Sequence, residues 1–143
     1  MTTLDSAVDY HKRRWCIIPM PAGSKNPNRS GWQRERLSLD DLPMQFAGNA
    51  NIGVLLGEPS FGLVDVDLDC TEAIELAEGF LPDTDCVFGR IGKAHSHRLY
   101  VIDPAPTTTR FRDTDGTTLV ELRGSGGQTV FPPSTHPSGE RIE

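Results

Sequence analysis

Short apolar runs separated by turn-forming residues dominate the hydrophobic pattern of this chain, and most of these runs have the length of a β-strand. The strands predicted from them cover residues 15–18, 51–56, 61–68, 87–88, 96–102, 119–123 and 128–131. Apolar positions at helical spacing, or a capping residue ahead of them, predict helices at residues 4–14, 38–46 and 72–79. Strands mixed with a few helices in this way predict an α+β fold.

Turn residues predict how these elements are connected. Residues 57–60 form a turn, so we expect the strands on either side of it to pair as a hairpin. A glycine-rich turn leads us to expect strand 128–131 to pair back on strand 119–123. Pro19 is expected to end the first strand because it lacks a backbone donor. Two segments are predicted to be loops, residues 104–115 and 132–139.

The composition is that of one globular domain of 143 residues, with 36% hydrophobic and 24% charged residues. The net charge of −6 argues against a module that simply coats nucleic acid. Any contact with nucleic acid would need a local basic patch or another part of a longer protein. Three cysteines without a Cys-x-x-Cys pair favour a reducing cytoplasm over a zinc ribbon or a disulfide framework. No signal peptide or membrane span is expected.

Three carboxylates one residue apart, Asp65, Asp67 and Asp69, lie in strand 61–68 and just after it. Because strand side chains alternate, the carboxylates share one face and the apolar residues between them share the other. Their mutual repulsion costs stability unless a cation neutralises it, and Mg²⁺ typically takes one or two carboxylates plus substrate phosphates. The alternative is an edge strand with a solvated acidic face.

Basic and imidazole side chains precede and begin the next long strand. Arg90 and Lys93 lie in a short glycine-bearing segment, followed by Ser96 and His97, and together they could hold a triphosphate. A strand histidine of this kind is alternatively a structural or exposed residue. No Walker A loop, Gly-x-Ser-x-Gly elbow or His-Glu-x-x-His pair is present.

Two later segments add further candidates. Glu121 and Arg123 share one face of their strand, which suits a metal carboxylate beside a phosphate or base contact. The alternative for this pair is a surface ion pair of little energetic value. His136 follows a stiff Pro-Pro pair that would hold it at a rim, unless the segment is an ordinary proline-rich turn.

Taken in order, these segments resemble the bifunctional DNA primase/polymerase domain of the archaeo-eukaryotic primase superfamily, found in replication proteins of plasmids, phages and integrated elements. The motifs that carry the resemblance are Lys25-Asn26-Pro27, Gly31-Trp32, Asn51-Ile52-Gly53, the Asp-x-Asp strand, Phe88-Gly89-Arg90, Ser96-His97, Glu121-Leu122-Arg123, Gly127-Gln128 and Pro132-Pro133-Ser134-Thr135-His136. The resemblance implies an N-terminal α/β unit packed on a unit like an RNA-recognition motif, with a mixed or antiparallel sheet. It also implies a single catalytic domain over residues 1–143, expected to begin a longer replication protein.

The resemblance further implies roles for individual residues. The family's first acidic motif falls on Asp65 and Asp67, with Asp69 as the alternative in a shifted register, and Glu121 stands where the family commonly has Asp. These carboxylates would hold Mg²⁺ or Mn²⁺, as two ions. The implied catalytic residues are Asp65, Asp67, Glu121 and His97. The implied nucleotide contacts are His97, Ser96, Lys93, Arg90, Arg123 and His136, and Ser96 adjoins His97 where the family has Ser-x-His.

The function expected from the resemblance is metal-dependent, DNA-templated nucleotidyl transfer from a dNTP or NTP to a 3′-hydroxyl. Its expected partners are a DNA template or primer and a helicase domain or protein, in the cytoplasm and away from membranes. Two alternatives stay open. One is another Asp-x-Asp metal enzyme, such as a nucleotide-sugar glycosyltransferase, and the other is a non-catalytic module that binds nucleic acid or recruits a helicase.

Overall fold

Two β-sheets and three helices make up the structure, a computed structural model that describes all of residues 1–143. The helices are α1 (Thr3–Lys12), α2 (Leu42–Gln45) and α3 (Thr71–Phe80). The strands are β1 (Cys16–Met20), β2 (Asn51–Leu55), β3 (Leu63–Leu68), β4 (Val87–Arg90), β5 (Lys93–Val101), β6 (Thr109–Arg112), β7 (Thr118–Arg123), β8 (Gln128–Phe131), β9 (Ser134–Thr135) and β10 (Arg141–Ile142).

The sheets differ in size and share no strand. One has three strands in the order β1-β2-β8, and the other has seven in the order β6-β7-β3-β5-β4-β10-β9. Every pairing between these strands is antiparallel. The predicted α+β fold is therefore confirmed, as a domain that mixes helices with antiparallel sheets.

Helix α1 confirms the predicted helix within two residues at each end, and it begins at Thr3 because Thr2 and Asp5 form a capping box that satisfies free backbone donors of the first turn. Its buried Ala7 joins the main core of 16 residues, to which β1, β2 and β8 contribute most. The predicted helix at 38–46 is instead a 3₁₀ turn, Leu39–Asp41, followed by the single turn of α2. Ser38 caps the 3₁₀ turn, as predicted for a helix there, in a capping box with Asp41. The carboxylate of Asp41 accepts hydrogen bonds from the hydroxyl and the backbone N–H of Ser38.

Strand β3 lies in the interior of the seven-stranded sheet, between β7 and β5. Its even-numbered residues Val66 and Leu68 pack with Ala77 of α3, while Leu63 on the other face belongs to the main core. Asp65 and Asp67 share the face of Leu63. All six residues of β3 are buried, so the alternative of a solvated edge strand is wrong.

The predicted hairpin of β2 with β3 is also wrong. β2 pairs with β1 and β8, β3 pairs with β5 and β7, and one isolated bridge joins Gly57 to Leu63. The connection contains the 3₁₀ turn Glu58–Ser60 between two residues with positive φ, Gly57 at +76° and Phe61 at +56°. These conformations turn the chain out of one sheet and into the other, where a tight hairpin turn would have kept the two strands paired.

Strand β8 likewise does not pair back on β7, as was predicted, but on β2. β2 is buried along its whole length, and β1 and β8 satisfy its backbone groups on both edges. The strand predicted to end at Pro19 continues to Met20, because β1 lies at a sheet edge where a missing donor is tolerated. The two predicted loops contain the short strands β6 and β9.

Candidate active site

A cleft of about 600 Å³ opens where the two sheets meet, and only three of its 21 lining residues are hydrophobic. Strands β3, β4, β5, β6 and β7 supply residues to one side of it. Strand β8 and the loop after β1 supply residues to the other. A polar cleft of this volume lies within the range of roughly 300–1,000 Å³ usual for small-molecule sites.

Strand register aligns the central polar residues in one row across the seven-stranded sheet. Asp67 lies directly opposite Glu121 on β7 and opposite His97 on β5. Arg110 on β6 extends the row beyond Glu121, and Phe88 on β4 extends it beyond His97. Residues separated by more than 50 positions in sequence therefore become neighbours, because opposite residues of antiparallel strands project from the same face.

Asp65 is fully buried beneath the cleft, one strand repeat before Asp67. Its Oδ2 lies 2.9 Å from Nδ1 of His97 and accepts a hydrogen bond of 2.7 Å from the hydroxyl of Thr129 on β8. Because a carboxylate only accepts, this contact assigns the imidazole proton to Nδ1 and leaves Nε2 for another partner. The ring of His97 also stacks on Phe88, with centroids 4.8 Å apart.

Asp67 is the buried acid that reaches the cleft wall. Its Oδ2 accepts a hydrogen bond of 2.7 Å from Nη2 of Arg123, and its Oδ1 lies 3.6 Å from Nδ1 of His97. Burial raises the pKa of Asp67 above its ordinary value, and the charges of His97 and Arg123 offset only part of that rise.

Glu121 is held between two arginines. Its Oε1 accepts a hydrogen bond of 2.7 Å from Nε of Arg123, and its Oε2 accepts one of 2.7 Å from Nε of Arg110. Burial opposes ionisation, but these two arginines outweigh it and lower the pKa of Glu121. With a side chain only 12% exposed, this is not the surface ion pair considered as the alternative.

The remaining predicted residues form the rim of the cleft. Lys93 lies 3.1 Å from Asp69, which is exposed at the end of β3. Arg90 pairs with Glu140, whose other oxygen accepts the backbone N–H of Gly92. The glycine-bearing segment with Arg90 and Lys93 forms the paired hairpin of β4 and β5. The other two predicted contacts also line the cleft, the buried Ser96 and the rim residue His136.

Nine of the ten predicted site residues line this one cleft, and Asp65 is the exception because it lies beneath it. Their individual roles stay predictions. Asp67 and Asp69 line the cleft together. Asp65 lies beneath it and contacts His97 and Thr129. Each of the two possible acidic pairs, Asp65 with Asp67 and Asp67 with Asp69, is therefore at or directly beneath the cleft.

Two of the buried acids have free oxygens that suit a divalent cation. Oδ1 of Asp65 and Oδ1 of Asp67 are both buried and have no hydrogen-bond partner. Carboxylate oxygens are the ligands that Mg²⁺ and Mn²⁺ prefer, so this pair fits such an ion. No three His, Cys, Asp or Glu side chains form a complete set of ligands, so phosphates or water would have to supply the remainder.

Three residues of the site were given no role from the sequence. Arg110 lies in a segment predicted to be a loop, although the alternation Thr109-Arg110-Phe111-Arg112 is typical of an exposed strand. Thr129 accepts a hydrogen bond of 3.1 Å from Arg123 in addition to its bond to Asp65, which no local pattern indicates. Lys25 belongs to one of the motifs that carry the family resemblance, but the sequence assigned it no contact in the site.

The charge of the cleft is opposite to that of the whole chain. Five lining side chains are cationic and three are carboxylates, whereas the chain carries a net charge of −6. The cationic residues are Lys25, Arg90, Lys93, Arg110 and Arg123. The local basic patch that an acidic chain would need to hold a polyanion is therefore present.

These features define an α+β domain with antiparallel sheets and a cationic cleft above paired carboxylates. The chain belongs to the family of bifunctional DNA primase/polymerase N-terminal domains, whose family model matches residues 7–143. The resemblance drawn from its motifs is thus confirmed, and membership implies a nucleotidyltransferase-type enzyme with DNA and nucleotide substrates. No curated protein matches the chain. None of its helices is long and apolar enough to cross a bilayer.

Proposed function

We propose that this domain catalyses metal-dependent, DNA-templated transfer of a nucleotide from a dNTP or NTP to a 3′-hydroxyl group. The observation that carries the proposal is the pair of buried, unpartnered oxygens, Oδ1 of Asp65 and Oδ1 of Asp67, beside a cationic cleft. Leaving such oxygens without a donor is costly unless a cation occupies the position next to them.

The protein side chains bind and orient the substrate in this proposal. His97 presents Nε2 to the nucleotide, because Asp65 holds its Nδ1 and Phe88 stacks on its ring. Arg123 remains charged, since Asp67, Asp65 and Glu121 raise its pKa despite burial, and it contacts a phosphate or the base. Ser96, Lys93, Arg90 and His136 line the nucleotide side of the cleft.

Asp65 and Asp67 would hold the cation, with Asp69 as the alternative partner of Asp67, and Glu121 completes the acidic set. When bound, two Mg²⁺ or Mn²⁺ ions supply activation of the attacking hydroxyl and neutralisation of the leaving pyrophosphate. No nucleophilic side chain is required, because the attacking group belongs to the primer or to the first nucleotide.

Replacing Asp67 with Asn tests the proposal directly. We expect D67N to lower template-directed incorporation by more than about 100-fold, since even residues that only support metal ligands cost 10–100-fold. Incorporation of labelled nucleotides is measured with Mg²⁺ or Mn²⁺, with and without a primer. D83N is the matched control because Asp83 is an exposed loop acid outside the cleft. Undiminished incorporation by a folded D67N protein would refute the assignment.

The same assay separates the two registers of the acidic pair. If Asp65 and Asp67 hold the cation, D65N is inactive and D69N stays active. If Asp67 and Asp69 hold it, D69N is inactive and D65N retains partial activity, limited only by the lost support of His97. The thermal unfolding midpoint of each variant is measured first, to exclude loss of the fold.

A non-catalytic module that binds nucleic acid is the second candidate, and the arginine contacts favour it. Both oxygens of Glu121 and one oxygen of Asp67 are already held by arginines. Such a module would bind DNA without metal and would show no incorporation in the assay above.

The other alternative, a nucleotide-sugar glycosyltransferase, would not explain why the chain matches the primase/polymerase family model. Thermal shifts with dNTP and Mn²⁺ against UDP-sugar and Mn²⁺ distinguish it.

The replication context is also part of the proposal. The domain would act in the cytoplasm on a plasmid, phage or integrated element, with a helicase domain or protein as its partner.

We also propose the two-unit architecture of the superfamily. The strand order β7-β3-β5-β4, with α3 connecting β3 to β4, supports a unit like an RNA-recognition motif because it contains a split β-α-β arrangement.

A further inference from the structure

Lys25 is the one cation of the cleft without a carboxylate partner. Each of the other four lies within 4.0 Å of an Asp or Glu oxygen, and these pairs are Arg123 with Asp67 and Glu121, Arg110 with Glu121, Lys93 with Asp69, and Arg90 with Glu140. An anion can therefore bind the ammonium group of Lys25 without breaking an existing ion pair, which makes it the least costly cation to engage.

Two side-chain amides fix the backbone around Lys25. Gln128 donates from Nε2 to the carbonyl oxygen of Lys25 at 2.9 Å. Asn51, only 1% exposed, donates from Nδ2 to the carbonyl oxygen of Ser24 at 3.1 Å and to that of Thr135 at 2.7 Å. The loop is thereby tied to β8, to β2 and to the segment leading to His136, so the position of the Lys25 backbone is set before any ligand arrives.

Other cations converge on the same part of the cleft. Burial and the nearby charges of Arg90 and Lys25 lower the pKa of His136, so positive groups from two separate segments act on one imidazole. Ser138 occupies Nδ1 of His136, with its hydroxyl at 2.8 Å and its backbone N–H at 3.1 Å, so Nε2 is the ring nitrogen left for a ligand. Several donors and cations around one space are the features of a polyphosphate site.

We propose that Lys25 binds the phosphate chain of the nucleoside triphosphate from the side of the three-stranded sheet, as a preorganised contact tied in place by Gln128 and Asn51. The triphosphate would then span the cleft, between this contact and the carboxylates of β3. The inference rests on the proposed function for its substrate, but binding of the phosphate chain to Lys25 requires neither the metal nor the template.

The test measures binding of inorganic tripolyphosphate to the 143-residue chain by calorimetry, in a buffer with EDTA. We expect K25M to weaken binding about tenfold, as one charge-assisted contact is lost, and K25R to retain most of it because the charge is kept. K12M is the matched control and binds like the wild type, since Lys12 is an exposed, unpaired lysine outside the cleft. Q128L removes the hydrogen bond from Gln128 to the carbonyl oxygen of Lys25, and we expect it to weaken tripolyphosphate binding by less than K25M does.

The inference would be overturned if K25M bound tripolyphosphate like the wild type, if K12M lost as much affinity as K25M, or if the wild-type chain did not bind it. Wild-type affinity in Q128L would overturn the role of Gln128 in positioning Lys25. Incorporation is measured in parallel to separate the two proposals. Binding that depends on Lys25, without any incorporation, contradicts the proposed function alone. Incorporation by K25M with an unchanged KM for the nucleotide contradicts the role of Lys25 alone.

Discussion

Thr129 connects the two sheets at the site through a single hydroxyl group. The hydroxyl donates to Asp65 at 2.7 Å and accepts from Arg123 at 3.1 Å, and the residue is only 2% exposed. It therefore satisfies one oxygen of a fully buried acid and orients the arginine that contacts Asp67 and Glu121. At the scale of single residues, the acids depend on a neutral neighbour that belongs to another sheet.

Replacing Thr129 with Val removes that hydroxyl while keeping the shape of the side chain. We expect T129V to lower the free energy of unfolding by about 1–2 kcal/mol, because a buried carboxylate loses a donor. Urea denaturation followed by tryptophan fluorescence measures the change. T129S keeps the hydroxyl and should lose less, and a T129V protein as stable as the wild type would show that the hydroxyl contributes nothing.

The connection between β2 and β3 decides at the element scale which sheet each strand joins. Gly57 has φ of +76° and ψ of −134°, and a Cβ atom there would come within 2.3 Å of the backbone nitrogen of Ser125. This close approach joins the β2–β3 connection to the turn between β7 and β8. Two chain crossings from one sheet to the other are thus packed against each other beside the cleft.

Replacing Gly57 with Ala should destabilise the protein strongly, since it adds a backbone clash to an unfavourable φ and ψ. We expect G57A to lose about 3 kcal/mol or more in free energy of unfolding. G23A is the matched control, because Gly23 also has a positive φ of +67° but a Cβ atom added there would have nothing within 4 Å. Its loss should be about 1–2 kcal/mol, from the conformation alone. Equal losses in the two variants would contradict the packing argument.

The whole molecule combines an acidic surface with a cationic cleft. The net charge of −6 repels a polyanion at long range, while the excess of cations in the cleft attracts it at short range. We therefore expect weak affinity for single-stranded DNA, with a shallow dependence on salt, because few cations make contact.

Removing one cation of the cleft should make that salt dependence still shallower. We expect R110Q to reduce the slope of log K against log[salt] by about 0.7, the value for one contact to a single strand. Fluorescence anisotropy across a salt series measures the slope. R13Q is the matched control, since Arg13 is also paired with an acid, Asp9, but lies at the C-terminal cap of α1, outside the cleft. Equal slopes for R110Q and the wild type would place the DNA elsewhere.

Local features of the protein, and its family, could be predicted from the amino-acid sequence. Side-chain alternation placed Asp65 and Asp67 on one face of β3, the apolar spacing placed α1 and α3, and the ordered motifs identified the family that the match over residues 7–143 confirms. These features depend on residues close together in the chain, or on the order of short motifs, so a linear pattern contains them.

Only the tertiary structure determined which strands are neighbours. Strand pairing in turn determined which residues form the site. The hairpin predicted for β2 and β3 failed, as did the pairing of β8 with β7, because glycine and positive-φ turns direct the chain between sheets in ways that apolar runs do not record. Pairing then buried Asp65, placed Glu121 between two arginines and brought Thr129 and Lys25 to the cleft. Burial and charge partners arise from contacts between residues distant in sequence, and no linear pattern contains such contacts.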